Sequence, residues 1–160
     1  MKFSIETPRL VVRPFELNDA KDFFNITRDE DIRKFVPGCY FESLEETQEV
    51  FEKFYIKGDL KHDFYLAIVE KSTNSLVGSF IITQNQDLHT YDFCYFIQKE
   101  KRLNGYFKEA FTEFLRNSFP ASFTINIASE NSASWLALKK TLEPFDDIAL
   151  YSSLLTRYVD

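Results

Sequence analysis

Residues 99–117, KEKRLNGYFKEAFTEFLRN, constrain the chain more than any other stretch. After Gly105, apolar residues recur at Phe107, Ala110, Phe111, Phe114 and Leu115, which is the spacing of one helical face. The glycine is one of only four in 160 residues, and it separates a basic turn from that helix. Two readings are open. The glycine eases a tight turn, or it lets backbone approach a ligand closely or take positive φ. The second has a chemical corollary, because a helix N-terminus presents unpaired N–H groups and the positive end of a dipole, and so suits an anion.

The rest of the chain reads as alternating short elements without repeats, low-complexity tracts or linkers. Residues 9–15, RLVVRPF, read as a strand ended by Pro14, and residues 17–36 as one helix capped by Asn18 or Asp19. Ser43 with Glu46 matches a capping box for a second helix running to about residue 57. Residues 63–83 read as a hairpin around a polar turn at 72–75, and residues 90–98 as a third strand of that meander. Beyond the Gly105 helix come a strand (122–129), a short helix opened by Asn131, and a final β region near 148–159. The order β-α-α-β-β-β-α-β-α-β predicts an α+β fold with a mixed sheet, in a single domain spanning residues 1–160.

Composition excludes several function classes. With 28% charged and 44% hydrophobic residues the chain is ordinary for a soluble domain, and its 17% aromatic content predicts a core of packed rings. No apolar run approaches the roughly 18 residues of a membrane span, and no signal peptide is read at the start. The net charge of −6 argues against nucleic-acid binding and is compatible with a cationic or amine-bearing substrate. Cys39 and Cys94 lack metal-ligand spacing and read as reduced, inert thiols of a cytoplasmic protein.

Three segments in fixed order carry a family resemblance. They are ETPRLVVRPFELNDAKDFF, with Thr7, Arg9, Leu10 and Arg13; YDFCYFIQKEKRLNGYFKEAF, with Arg102, Gly105, Tyr106, Glu109 and Ala110; and ENSASWLALKK, with Asn131 and Ser134. Together they resemble the GNAT superfamily of N-acetyltransferases, in the branch of RimJ/RimL-like ribosomal-protein N-terminal acetyltransferases and spermidine-type enzymes. The resemblance implies a GNAT-like, mostly antiparallel sheet flanked by helices, acetyl-CoA as co-substrate, and a small-molecule or peptide amine as acceptor. It implies that the amides of Leu103, Asn104, Gly105, Tyr106, Phe107 and Lys108, with Arg102, ring the CoA pyrophosphate, so that Gly105 takes the functional reading. It further implies that backbone N–H near Phe96 and Ile97 polarises the thioester carbonyl, and that Asn131 fixes the pantetheine arm.

Acetyl transfer also needs an amine stripped of a proton and a leaving thiolate stabilised. Asp92, where the family often has Glu, is the candidate to reach the amine directly or through water; its alternative is a solvated strand-end carboxylate. Ser134 is the candidate to assist the thiolate; its alternative, like that of Asn131, is helix capping. His62 and His89 read as surface residues, and no metal set is expected. The chain departs from the family at Leu103, where glycine is common, at Phe107, where the loop usually ends in Gly or Ala, at Cys94, and at KKTLEPF. Those departures keep open a second expectation, a catalytically silent domain that binds an acyl-CoA or a partner protein. Surface aromatics are compatible with a homodimer.

Overall fold

Among the described residues one six-stranded sheet runs through the molecule, its strands in chain order: β1 (Ile5–Glu6), β2 (Leu10–Pro14), β3 (Phe64–Glu70), β4 (Ser75–Asn85), β5 (Thr90–Ile97) and β6 (Phe123–Ile125). All pairings are antiparallel except β5 with β6, which is parallel. The computed structural model describes residues 3–56, 63–85, 90–118, 123–125, 127–128 and 130–144. The expected final β region lies outside them.

Among the described residues five α-helices cover the two faces: α1 (Asp19–Ile26), α2 (Glu30–Phe35), α3 (Leu44–Val50), α4 (Tyr106–Ser118) and α5 (Ser132–Leu142). The α+β architecture is as the sequence predicts, with three differences. A short edge strand, β1, precedes the first expected one. Helix α3 keeps the Ser43 cap, whose side chain accepts from the Glu46 amide at 3.1 Å, but it passes at Phe51 into a π-helical turn.

The third difference corrects the single helix over residues 17–36, which is two helices. The Thr27 hydroxyl donates back to the Phe23 carbonyl at 2.9 Å as α1 ends, and Asp29 caps α2 by accepting from the Ile32 amide at 3.1 Å. The expected cap at α1 also works differently. Asn18 makes no side-chain cap, whereas Asp19 accepts from the Glu16 amide at 2.8 Å and from both terminal nitrogens of Arg13.

The aromatic residues divide between two cores. On one face Phe23 is ringed by Phe15, Phe41, Phe51, Tyr55 and Phe96, under α1, α2 and α3. On the other, Phe80 and Phe93 of the sheet meet Phe107, Phe111 and Phe114 of α4, with Leu138 of α5 alongside. Each ring buries a large apolar area, and edge-on and offset contacts fill the space between layers.

The end of β5 is fixed by an irregularity in β4. Gly78 pairs with Ile68 and Leu76 with Val69, so Val77 is left as a bulge whose carbonyl accepts from the Gln98 amide at 2.7 Å. A Cβ on Gly78 would lie 2.5 Å from the Phe96 carbonyl oxygen, so the close approach of β5 requires glycine there. Among the described residues the other edge of β5 pairs with β6 from Tyr91 to Phe93. Ile127, which that register would set opposite Tyr95, belongs to no strand, so the sheet is open by Tyr95.

Candidate active site

A cavity of about 360 Å³ sits at that opening. Its walls are the end of β5 (Tyr95, Phe96, Ile97), the turn and first residues of α4 (101–103 and 105–108), one side of α2 (Asp31, Ile32, Phe35, Val36) and residues 130–134 at the start of α5. All the loop residues expected at the cofactor except Asn104 line it, as do Asn131 and Ser134.

The loop has the backbone of an anion cradle. Leu103 stands at φ 61° and Gly105 at φ 77°, and such alternation turns successive N–H groups towards one concave side. The first α-helical bond of α4 runs from the Glu109 amide to the Gly105 carbonyl at 3.0 Å, so the amides of residues 106–108 precede any intrahelical acceptor. The position where the family commonly has glycine thus keeps a left-handed backbone with leucine, whose side chain is fully exposed. Gly105 is required for its φ rather than for room. A Cβ there would meet only Arg9 Nη2, at 3.5 Å, in ordinary contact.

Phe107 points away from the cradle. It is buried and stacks between Tyr95 and Phe111, at 4.0 and 5.1 Å between centroids. The loop is braced from below. Glu109, in the first turn of α4, accepts from the Thr7 hydroxyl, from the Arg9 amide at 2.8 Å and from Arg9 Nε at 2.6 Å. Burial pushes this carboxyl up, but the bonds from Thr7 and Arg9 outweigh it and hold the group below its ordinary value. The matching residues Thr7, Arg9 and Glu109 are therefore one clamp between the β1–β2 turn and α4.

Arg102 is placed differently from the sequence expectation of a phosphate contact. Its Nε donates to the Ile97 carbonyl at 3.0 Å, and its terminal nitrogens pair with Asp29 at 2.9 Å and Asp31 at 3.3 Å. Lys101 is likewise paired, with Glu70 at 3.0 Å. Lys108 is exposed and has no ion pair among the described residues, which leaves its charge available to an anion in the cavity.

The Gln98 amide bonds to β4, so alternation along the strand turns the Phe96 amide to β4 as well, and the Ile97 N–H towards the opening. Of the two residues expected near the thioester carbonyl, Ile97 is the one suitably oriented. Asn131 caps α5, its Oδ1 accepting from the Ser134 amide at 3.2 Å. The Ser134 carbonyl accepts from the Tyr95 hydroxyl at 3.1 Å, which ties α5 to β5, and burial pushes that phenol up to about 12. The capping expectation for Asn131 is thus met by its side chain. For Ser134 the cap uses the backbone and leaves the hydroxyl out.

Asp92 is not brought to the cavity wall. It pairs across the sheet with Thr83 and Thr124, in the part of β5 that β6 still covers. The carboxylates that do line the cavity are Asp31, paired with Arg102, and Glu130, paired with Lys34 at 2.9 Å. Both cysteines are free, and burial pushes each thiol up, Cys94 to about 11, which leaves little reactive thiolate.

Sequence reasoning missed Glu70, which lies beneath the loop and binds Tyr106, Lys101 and Thr73. The signal was present: it is the one charged residue of FYLAIVE, an otherwise apolar and aromatic strand, and a carboxylate buried there demands partners.

This geometry has counterparts among known proteins. Residues 9–141 match the model of the acetyltransferase (GNAT) domain. An uncharacterized N-acetyltransferase of Bacillus subtilis, YnaD, is 26% identical over 140 residues, covering 85% of this chain and 79% of that protein. The same fold occurs in a GNAT-family acetyltransferase from Bacillus anthracis (TM-score 0.71, 23% identity, 87% of this chain and 82% of that one). It occurs too in a putative ribosomal-protein-serine acetyltransferase from Vibrio cholerae (TM-score 0.69, 20% identity, 87% and 82%). The domain match spans most of the sequence and takes in both the loop around Gly105 and the start of α5, so the chain belongs to the GNAT family of acetyl-CoA-dependent acetyltransferases.

Proposed function

We propose that the chain is an active N-acetyltransferase whose acceptor is a primary amine, a protein N-terminus or a polyamine or other small amine, of the kind handled by the RimJ/RimL-like branch. The observation that carries this reading is the loop at residues 103–108. Two left-handed residues at the head of a 13-residue helix point free amides into a cavity where the sheet opens. The fit to a pyrophosphate is good, because the cradle supplies N–H donors, a helix N-terminus and Lys108, while Phe107 is withdrawn into the core.

Acetyl-CoA supplies the thioester. The Ile97 N–H is the donor for its carbonyl oxygen, a fixed dipole that gains strength as charge develops there. The amine nitrogen bonds to the carbonyl carbon, the carbon–sulfur bond breaks, and the Ser134 hydroxyl gives the departing sulfur its proton and takes in its place the proton that the new amide nitrogen sheds. Asp92, set back from the cavity wall, takes the ammonium proton through a bridging water. Asn131 holds the pantetheine arm where α5 begins, and Tyr95 keeps that end of α5 against β5.

The silent-domain alternative draws on Phe107, Leu103 and the KKTLEPF segment, and the inward position of the Phe107 ring argues against the first of these. The test has two parts. Acetyl-CoA at about 100 times its dissociation constant should stabilise the fold by roughly 2.7 kcal/mol, while pantetheine does much less. Release of free thiol should then be followed over N-terminal peptides, polyamines and small amines. Binding without turnover on any acceptor would favour the silent domain, and no binding at millimolar acetyl-CoA would exclude both readings.

A further inference from the structure

Glu70 ends β3 directly beneath the loop, its side chain only 9% exposed. Its carboxylate is the meeting point of three donors. Lys101 Nζ lies 3.2 and 3.0 Å from the two oxygens, the Thr73 hydroxyl donates to Oε2 at 2.9 Å, and the Tyr106 hydroxyl donates to Oε1. Lys101 and Tyr106 are the residues on either side of positions 102–105, so one carboxylate holds both ends of the turn that makes the cradle. Arg9 adds to the hold on one side, its guanidinium 4.4 Å above the Tyr106 ring.

Something must hold that turn. Leu103 adopts a left-handed backbone that a leucine disfavours, and its exposed side chain makes no packing contact that could repay the strain. Arg102 anchors one side of the turn through Ile97, Asp29 and Asp31, and the residues that flank the turn, Lys101 and Tyr106, both converge on Glu70.

We propose that Glu70 is a positioning residue for the acyl donor: by gripping Lys101 and Tyr106 together it keeps Leu103 and Gly105 in the left-handed conformation that aims the amides of the loop at a pyrophosphate. This rests on the acyl-CoA reading given above. An amide does not reproduce the carboxylate. Its NH₂ group facing Tyr106 could at best donate to the phenol oxygen, and the negative charge that draws Lys101 would be gone, so both links to the turn would weaken.

The test is calorimetric titration of CoA and of pantetheine, which lacks the pyrophosphate, into the full chain. The proteins are the parent, Glu70→Gln, Tyr106→Phe and the double variant. Tyr106→Phe keeps the ring under Arg9 and removes one hydrogen bond, so it serves even where Glu70→Gln folds poorly. CoA affinity should fall about tenfold in Glu70→Gln, the loss expected for a hydrogen bond to a charged group, with pantetheine affinity unchanged. The double variant should be no worse than Glu70→Gln, because both changes cut the same link. Equal losses for CoA and pantetheine would reduce Glu70 to a support of the fold and overturn the proposal. Unchanged CoA affinity in Tyr106→Phe or Glu70→Gln would overturn it as well. A parent that binds neither compound would instead remove the acyl-CoA reading, and the proposal with it.

Discussion

The rings of Tyr95 and Phe107 lie face to face, their centroids 4.0 Å apart and their planes 19° from parallel. Phe111 continues the stack, and the Tyr95 hydroxyl reaches on to the Ser134 carbonyl. The residue that departs from the family at the end of the loop is thus a core residue beneath the cradle, while its amide stays at the helix start. Phe107→Ala should destabilise the fold by about 3–5 kcal/mol, the usual result of emptying a buried ring site. Chemical denaturation measures this, and CoA titration should show no gain in affinity. A variant of normal stability that bound CoA more tightly would mean that the ring obstructs the cradle.

Gly105 and Leu103 share a backbone conformation but differ in what substitution does. At Gly105 the φ of 77° excludes a β-branched residue, whereas asparagine tolerates it. Gly105→Val should lose CoA affinity by roughly tenfold or more, and Gly105→Asn should lose far less, since left-handed strain costs about 1–2 kcal/mol. At Leu103 the strain is already present and the exposed side chain contributes no packing, so Leu103→Gly should hold or raise stability by up to about 1 kcal/mol. Paired titrations and melts separate the two positions. Equal CoA affinity in Gly105→Val would return this glycine to a simple turn residue.

The carboxylate cluster predicts how the fold responds to acid. Hydrogen bonds from Tyr106, then from Lys101 and Thr73, hold the Glu70 carboxyl down at about 2, against an ordinary value of 4.5. Its contribution is complete above the unfolded value and is lost as pH falls through the folded one. Asp29 and Glu109 are also held low, which adds loss in the same direction. The parent's denaturation midpoint should therefore drop between about pH 4.5 and 2, and that of Glu70→Gln should drop less steeply over the same window. Parallel curves across it would show that Glu70 is not a stabilising carboxylate.

What was legible in the sequence depended on distance along the chain. The inward face of α4, the turn at Gly105, the hairpin and the Asn131 cap are all set by residues within a few positions of one another, and each appears where periodicity and capping place it. The break between α1 and α2 was hidden because helical spacing continues through it. Part of what fixes it is the bond from Arg102 to Asp29, 73 residues away. The same bond explains Arg102, whose motif position suggests a phosphate while its charge is already matched by two aspartates. How near Asp92 comes to the cavity was not legible for a related reason. Its face on β5 is readable from alternation, but how far along β5 the sheet opens depends on where β6 ends. Glu70 was legible in principle, as a charge ending an apolar strand, but two of its three partners lie 31 and 36 residues on.

The hydroxyl of Ser134 offers the sharpest test of chemistry, because the structure separates it from the fold. The cap at the start of α5 uses the Ser134 amide and the Asn131 side chain, and the bond from Tyr95 uses the Ser134 carbonyl. Ser134→Ala keeps both, so its melting temperature and its CoA affinity should match the parent's. Asn131→Ala, by contrast, removes the cap acceptor and should cost about 1 kcal/mol of stability. With the fold intact, loss of a proton donor to the leaving sulfur should lower kcat about 10²-fold on any accepted amine, with little change in the KM for acetyl-CoA. The sulfur would then leave as the bare thiolate, so a donor thioester with a more acidic thiol should recover part of the rate in Ser134→Ala. A variant with parental kcat would assign Ser134 to the wall of the cavity and leave protonation of the sulfur to water.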